Sequence, residues 1–214
     1  MRTVRIFYKK LGRLKFISHL DMTRFMSRLI TKANIPVWYT EGFNQHLYMN
    51  FAVPLSLGFE GLYEVLEIRI MDENFTNSDC LEALKKVSPQ DIVFTDVKDP
   101  VMSMKDIALA EFILDFGENM ASLKDSITAF LNSDSIICQK KGKKGKIREI
   151  DLIPKIESFS VNGDKLTLCL TAGNEDNLNP SLVMDTFFAS TKTEPCFYSV
   201  TRTAIYNKDK KMFI

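Results

Sequence analysis

Hydrophobic periods that follow one another as strand, helix, strand, strand, helix, strand, and then begin that order again, predict an α+β protein. The expected architecture is tandem ferredoxin-like (βαββαβ) domains with antiparallel sheets. Three observations carry this expectation. The first half alternates period-2 and period-3.6 segments in the split βαβ order. A segment at 98–105, KDPVMSMK, then interrupts regular structure at Pro100. After it comes a second series containing Asn162-Gly163 between two alternating runs, a strong hairpin signal because this pair suits a type I′ turn. The expected domains are 1–99 and 106–214.

In order, residues 3–8 alternate Val4, Ile6 and Tyr8 against Arg5 and Phe7, a half-buried strand. Ser18 with Asp21 forms an S-x-x-D capping pattern that opens a helix. Met22, Phe25, Met26, Leu29, Ile30 and Ala33 recur on its core face, and Arg24, Arg28 and Lys32 make a basic stripe at i, i+4 and i+8. Val37-Trp38-Tyr39 is expected to begin a second strand. Residues 41–58 form a long connection punctuated by Gly42, Asn44, Pro54 and Gly58, and long loops in compact domains are usually functional or mobile. Residues 63–70 read as a third strand, a helix capped by Asn77 or Ser78 runs through Val87, and 91–97 close the first unit. The second series has a strand at 110–116, a helix at 119–131, and a strand from Ser135 that enters KKGKKGKIR. The hairpin of 156–161 and 165–170, a helix opened by Asn179-Pro180, and a strand at 197–206 complete it.

The composition is that of an ordinary globular protein, 45% hydrophobic and 26% charged over 214 residues. No apolar run approaches the ~18–20 residues of a membrane span, and the N-terminal segment lacks a signal peptide's apolar block, so a cytoplasmic protein without membrane association is expected. Cys80, Cys138, Cys169 and Cys196 are widely scattered and have no zinc or iron–sulfur spacing, which predicts small, mostly buried hydrophobes. Net charge is only +1, but it is unevenly spread. Residues 1–50 hold nine basic groups against Asp21 and Glu41, residues 51–134 six against sixteen acidic, and residues 135–214 thirteen against nine. Basic outer parts suggest a polyanion partner, although the acidic middle can also pair with them.

Both histidines, His19 and His46, and the single tryptophan, Trp38, fall within residues 16–58. His19 is placed in the first helical turn, where the helix dipole favours a nearby anion; Ser18 and Arg24 would complete a phosphate or carboxylate seat. The plainer reading is that Ser18, His19 and Asp21 only satisfy the helix end. His46, with Glu41, Asn44 and Gln45, sits on the long loop, either as a binding group or within a self-bonded polar loop. Histidine suits proton transfer near neutral pH, so His19 and His46 are the candidate acid and base. His19, His46, Asp21 and Glu41 have no diagnostic metal spacing, and neither a metal nor a cofactor is expected. Lys140, Lys141, Lys143, Lys144, Lys146 and Arg148 put six positive charges in nine residues, either a solvated hairpin or a contact to a phosphate backbone. Phe7, Tyr8, Trp38 and Tyr39 would stack bases if they faced outward, though most are expected in the core.

FISHLD, EGFNQH and PLSLG together resemble the bacterial family of radical SAM-linked proteins, a domain of unknown function found beside or fused to radical S-adenosylmethionine proteins. The resemblance rests on Phe16, Ser18, His19, Leu20, Asp21, Arg24, Gly42, Phe43, Asn44, His46, Pro54, Leu55, Gly58 and Glu64. Gln45 stands where the family usually has proline. Asp151 and Pro154 match its D-x-R-P segment, whereas Ile153 replaces the usual arginine. The resemblance implies a genetic association with a radical SAM protein and no particular reaction.

The leading expectation is therefore an RNA-binding or substrate-presenting accessory protein, with RNA and a radical SAM protein as partners. A metal-independent RNA-processing enzyme using His19 and His46 is the first alternative; CRISPR-repeat endoribonucleases share tandem ferredoxin-like domains, an argument from analogy. A protein–protein scaffold without nucleic acid is the second.

Overall fold

A computed structural model of the chain describes residues 1–141, 147–173 and 176–214, and excludes the side chains of Lys140, Lys141, Ile147 and Arg148. It divides into two compact units. One comprises Met1–Ile107 with Arg202–Ile214, the other Ala108–Thr201. This differs from the expected division at 99/106 in two ways. Residues 202–214 return to the first unit, and the expected linker is packed into it: Met102 donates its N–H to Ile214 O and its carbonyl accepts from Arg5.

The first unit contains β1 (Arg2–Lys10), α1 (His19–Lys32), β2 (Met49–Phe51), β3 (Glu60–Ile70), α2 (Asn77–Val87) and β4 (Ile92–Lys98). β1 lies between β4 and β3, antiparallel to both, and β2 pairs antiparallel with β3. One face of this sheet carries Val4, Ile6, Tyr8, Leu66, Ile68 and Ile70 into a core with Met22, Met26, Leu29 and Ile30 of α1 and Cys80 and Leu84 of α2. Fully burying each such aliphatic side chain is worth about 1.5–3 kcal/mol. The 2.0 and 3.6 periods in the sequence thus meet at this interface.

The second strand departs from expectation. Val37 and Tyr39 make only isolated bridges, to Ile70 and Leu47. The chain reaches β3 through Trp38 N–H to Arg69 O, leaves it at Thr40, and pairs again only at Met49 opposite Ile68. The excursion is closed by Thr40 N–H to His46 O (2.8 Å) and Tyr48 N–H to Trp38 O (3.2 Å). α2 is capped by Thr76 rather than Asn77 or Ser78, because Thr76 and Asp79 form a reciprocal capping box. The Thr76 hydrogen bonds hold the Asp79 carboxyl below its usual range.

The second unit contains β5 (Ile107–Asp115), α3 (Met120–Leu131), β6 (Ile137–Lys141), β7 (Ile147–Asp151), β8 (Ile156–Asn162), β9 (Lys165–Thr171) and α4 (Pro180–Thr191). β9 lies between β5 and β8, antiparallel to both. The β6–β7 hairpin stands apart as a two-stranded sheet. Asn179 caps α4 by accepting from Ser181 N–H, as its Asn-Pro start predicts. The closing strand, β10 (Ser199–Asn207), enters the first unit at Arg202, where it neighbours β3.

Candidate functional site

The first unit builds its site from α1 outward. Ser18 Oγ accepts from Asp21 N–H at 3.1 Å and donates to the Asp21 carboxylate at 2.7 Å, so the capping pattern works as read. This fixes His19 as the first residue of the helix. Burial of Met22, Met26, Leu29 and Ile30 turns Arg24, Arg28 and Lys32 to the exposed side. Arg24 lies 3.5 Å from Asp21, an exposed i, i+3 pair of little energetic weight.

The 40–47 excursion positions the second histidine. His46 Nδ1 is 3.0 Å from Thr40 Oγ1 and 3.2 Å from the Asn44 carbonyl, and its N–H donates to Thr40 Oγ1. A proton on Nδ1 satisfies the carbonyl and leaves the lone pair of the neutral ring on Nε2. Gly42 adopts φ +115°, a conformation side-chain-bearing residues rarely take, and makes the turn of this loop.

Helix and loop meet. His19, Arg24, Arg28, His46, Asn50 and Phe51 line one open groove of about 610 Å³, with Pro54 at its margin. The His19 ring meets Phe51 edge-on, with centroids 5.0 Å apart. Large apolar side chains from the same stretch stay in solvent: Phe43 fully, with Phe16, Leu20 and Leu57 more than half exposed. The groove can therefore receive an anion, move a proton through either imidazole, and offer apolar surface to a flat ring.

His19, Phe51 and Pro54 also border a small cavity of about 10 Å³, lined further by Tyr8, Lys10 and Glu64. Here Arg202 binds both Glu64 oxygens, at 2.9 and 2.6 Å, and donates to Val53 O at 2.6 Å. Lys10, Glu64 and Arg202 are all at least nine-tenths buried. Glu64 folds over Gly61: a Cβ there would lie 2.2 Å from Glu64 Oε1, so the glycine is needed for close approach. Burial pushes the Lys10 ammonium below its usual pKa, against the attraction of Glu64. Burial, then the Glu64 charge, pushes the Tyr8 hydroxyl well above its ordinary range.

Other expected residues lie apart from the groove lining. Lys32 is exposed near the far end of α1; Glu41, Gly42, Phe43 and Asn44 are exposed on the loop; Gly58 donates its N–H to Lys15 O. Asp151 belongs to the second unit, where it accepts from Ile136 N–H, Ile153 N–H and Ser135 Oγ. Those backbone donors hold its carboxyl below the usual range. Of the basic run, Lys143, Lys144 and Lys146 lie outside the described residues, as do the side chains of Lys140, Lys141 and Arg148; the backbone pairs Lys140 with Arg148. Phe7 and Tyr8 are buried, so neither is a base-stacking platform, whereas Trp38 is half-buried beside Arg69 and Tyr39 is exposed. Among the described residues, no three His, Cys, Asp or Glu side chains are grouped to hold a metal. Nor is any helix there long and apolar enough to cross a membrane. Sequence reasoning missed Tyr8, Lys10 and Arg202 as site residues.

Comparisons with known proteins give a family and little beyond it. No curated protein matches the chain. Among solved structures, a chain of a Cbf5–Nop10–Gar1 complex aligns at 11% identity with a TM-score of 0.48; the alignment covers 95% of this chain and 48% of that one, so this chain spans about half its length. A protein assigned as a glycine cleavage system transcriptional repressor aligns at 13% identity with a TM-score of 0.28, covering 97% and 98% of the two chains. The model of an uncharacterized protein conserved in bacteria (DUF2344) matches residues 3–180, and the chain belongs to that family.

Proposed function

We propose that this protein is an RNA-binding accessory that presents its RNA to a radical SAM enzyme. The observation that carries the RNA part is the convergence of His19, Arg24, Arg28 and His46 in one groove bordered by exposed apolar side chains from the same stretch. Guanidinium groups suit phosphate, exposed aromatics suit unstacked bases, and a groove on a rigid helix and strand suits a single strand. The radical SAM link rests on the resemblance of residues 16–64 to proteins of that association. The same reading takes both units as ferredoxin-like. It is supported by the βαββαβ order and antiparallel β4-β1-β3-β2 arrangement of the first, and by the recurrence of β-α-β-β-α in the second once the β6–β7 hairpin is set aside.

Filter binding of unstructured RNA over a salt series tests this. Affinity should fall steeply with salt, and Arg24→Gln/Arg28→Gln should weaken binding about tenfold or more and flatten the slope. Absence of binding at low salt defeats the proposal. Co-purification with a radical SAM protein tests the partner.

One observation favours a second reading, RNA cleavage. Two histidines share the groove, and His46 can act through Nε2. Metal-free cleavage abolished by His19→Ala or His46→Ala supports it; equal cleavage by wild type and the double variant, or none by either, removes it.

A further inference from the structure

We infer that His46 Nε2 is a fixed acceptor for the 2′-hydroxyl of a ribonucleotide, and that Thr40 and the Asn44 carbonyl hold it in that role. His46 Nδ1 lies 3.0 Å from Thr40 Oγ1 and 3.2 Å from the Asn44 carbonyl oxygen. A carbonyl oxygen can only accept, so an unprotonated Nδ1 would set two lone pairs against each other at 3.2 Å. Thr40 Oγ1 already accepts from His46 N–H and has a second lone pair for the ring. Both neighbours therefore suit a proton on Nδ1. With that side of the ring turned into its own loop, the edge that lines the groove carries Nε2, which makes no hydrogen bond among the described residues. In the neutral ring this nitrogen only accepts. It is the wrong partner for a phosphate oxygen, itself an acceptor, and the right one for an O–H or N–H. Phosphate already has donors in this groove, Arg24 and Arg28 one helical turn apart on α1. Most of the opposite wall (Leu47, Met49, Phe51 and Pro54) is apolar and suits the face of a base more than its edge. What remains for the acceptor is a donor that every nucleotide of the ligand carries close to its phosphate. In RNA that group is the 2′-hydroxyl, and DNA lacks it.

The inference rests on the RNA-binding reading of the groove and adds which sugar the groove selects, and by which atom. The test is fluorescence anisotropy of the full chain at pH 8 and low salt with three unstructured strands of one sequence. These are RNA, DNA with deoxyuridine for uridine, and 2′-fluoro RNA, which keeps the ribose pucker but lacks the O–H. RNA should bind about tenfold more tightly than either of the others, the order of one hydrogen bond. His46→Ala should bring the three strands to within about twofold of one another, and Thr40→Val should remove part of the preference. Arg24→Gln/Arg28→Gln should weaken all three alike and leave the preference in place. Equal binding of the three strands by wild type, or an RNA preference that survives His46→Ala, overturns the inference and leaves the RNA-binding groove standing. No binding of any strand at low salt defeats the RNA reading and this inference with it. If His46→Ala does not fold, the wild-type comparison still decides, together with ¹⁵N NMR of the histidine rings in the free protein. A protonated Nδ1 and a bare Nε2 on His46 are expected; the opposite tautomer overturns the inference.

Discussion

β3 carries two buried arginine–glutamate pairs on its opposite faces, and they differ in what is left over. On one face Arg5 donates to Glu67 at 3.1 and 2.5 Å, to Ile214 O at 2.6 Å and to Met102 O at 2.7 Å, and lies 4.2 Å over the Phe213 ring. Four of the five guanidinium N–H groups there are bonded, and the side chain is fully buried. On the other face Arg202 donates to both Glu64 oxygens and to Val53 O, and Tyr8 and Lys10 line a small opening beside the pair, Lys10 feeling the attraction of Glu64. Buried ion pairs by themselves say little about function, since desolvation offsets most of their Coulomb gain. The informative quantity is the remaining charge. By that measure the Arg5 pair is a closed fastening, while the Arg202 pair has a second cation, Lys10, beside it.

Removing Arg5 should break the comparison most severely. Arg5→Leu leaves Glu67 buried and unpaired and should cost about 3–5 kcal/mol in urea denaturation. Glu64→Gln should cost about 2–4 kcal/mol, because it leaves Lys10 and Arg202 facing each other. Gly61→Ala should cost about 1–3 kcal/mol by displacing the Glu64 carboxylate, while leaving the Arg5 face intact. Ser18→Ala should cost about 1 kcal/mol through the lost cap, and would show whether His19 needs a fixed helix start to serve the groove.

The pH dependence is the finest discriminator. Lys10 has a folded pKa below its ordinary 10.5, so folding disfavours its protonated form. That penalty is fully present below the folded value and disappears as pH rises through it towards 10.5, so stability should rise with pH in this window. Tyr8 and Tyr63, the latter pushed up to about 12, act oppositely above pH 10 because the unfolded phenols ionise first. Urea denaturation followed as pH rises towards 10.5 should therefore show wild type gaining on Lys10→Met. Parallel profiles would remove Lys10's special environment.

Local features were legible and convergent ones were not. Ser18 and Asp21 announced their cap, Asn179-Pro180 its helix, and the alternation of β1 its buried face, because each signal lies within a turn or a strand. The β2 misplacement has a physical source. Val37-Trp38-Tyr39 has strand composition, but hydrogen bonds joining Thr40 to His46 drew the chain away from β3 before a ladder formed. That the two histidines share a groove depends on this closure, which no periodicity reveals. The Lys10–Glu64–Arg202 constellation was less legible still: Arg202 and Glu64 are 138 positions apart, and a lysine ending an alternating strand reads as solvated.

The excursion between Tyr39 and Tyr48 has a consequence for how such a protein diversifies. Its two ends are bonded to each other and flank positions already paired with β3. Residues 41–45 thus hang from a closed clasp, and the sheet gains nothing from their identity. Exchange of that short segment, in length or chemistry, can retune what sits beside His46 without asking the core to refold.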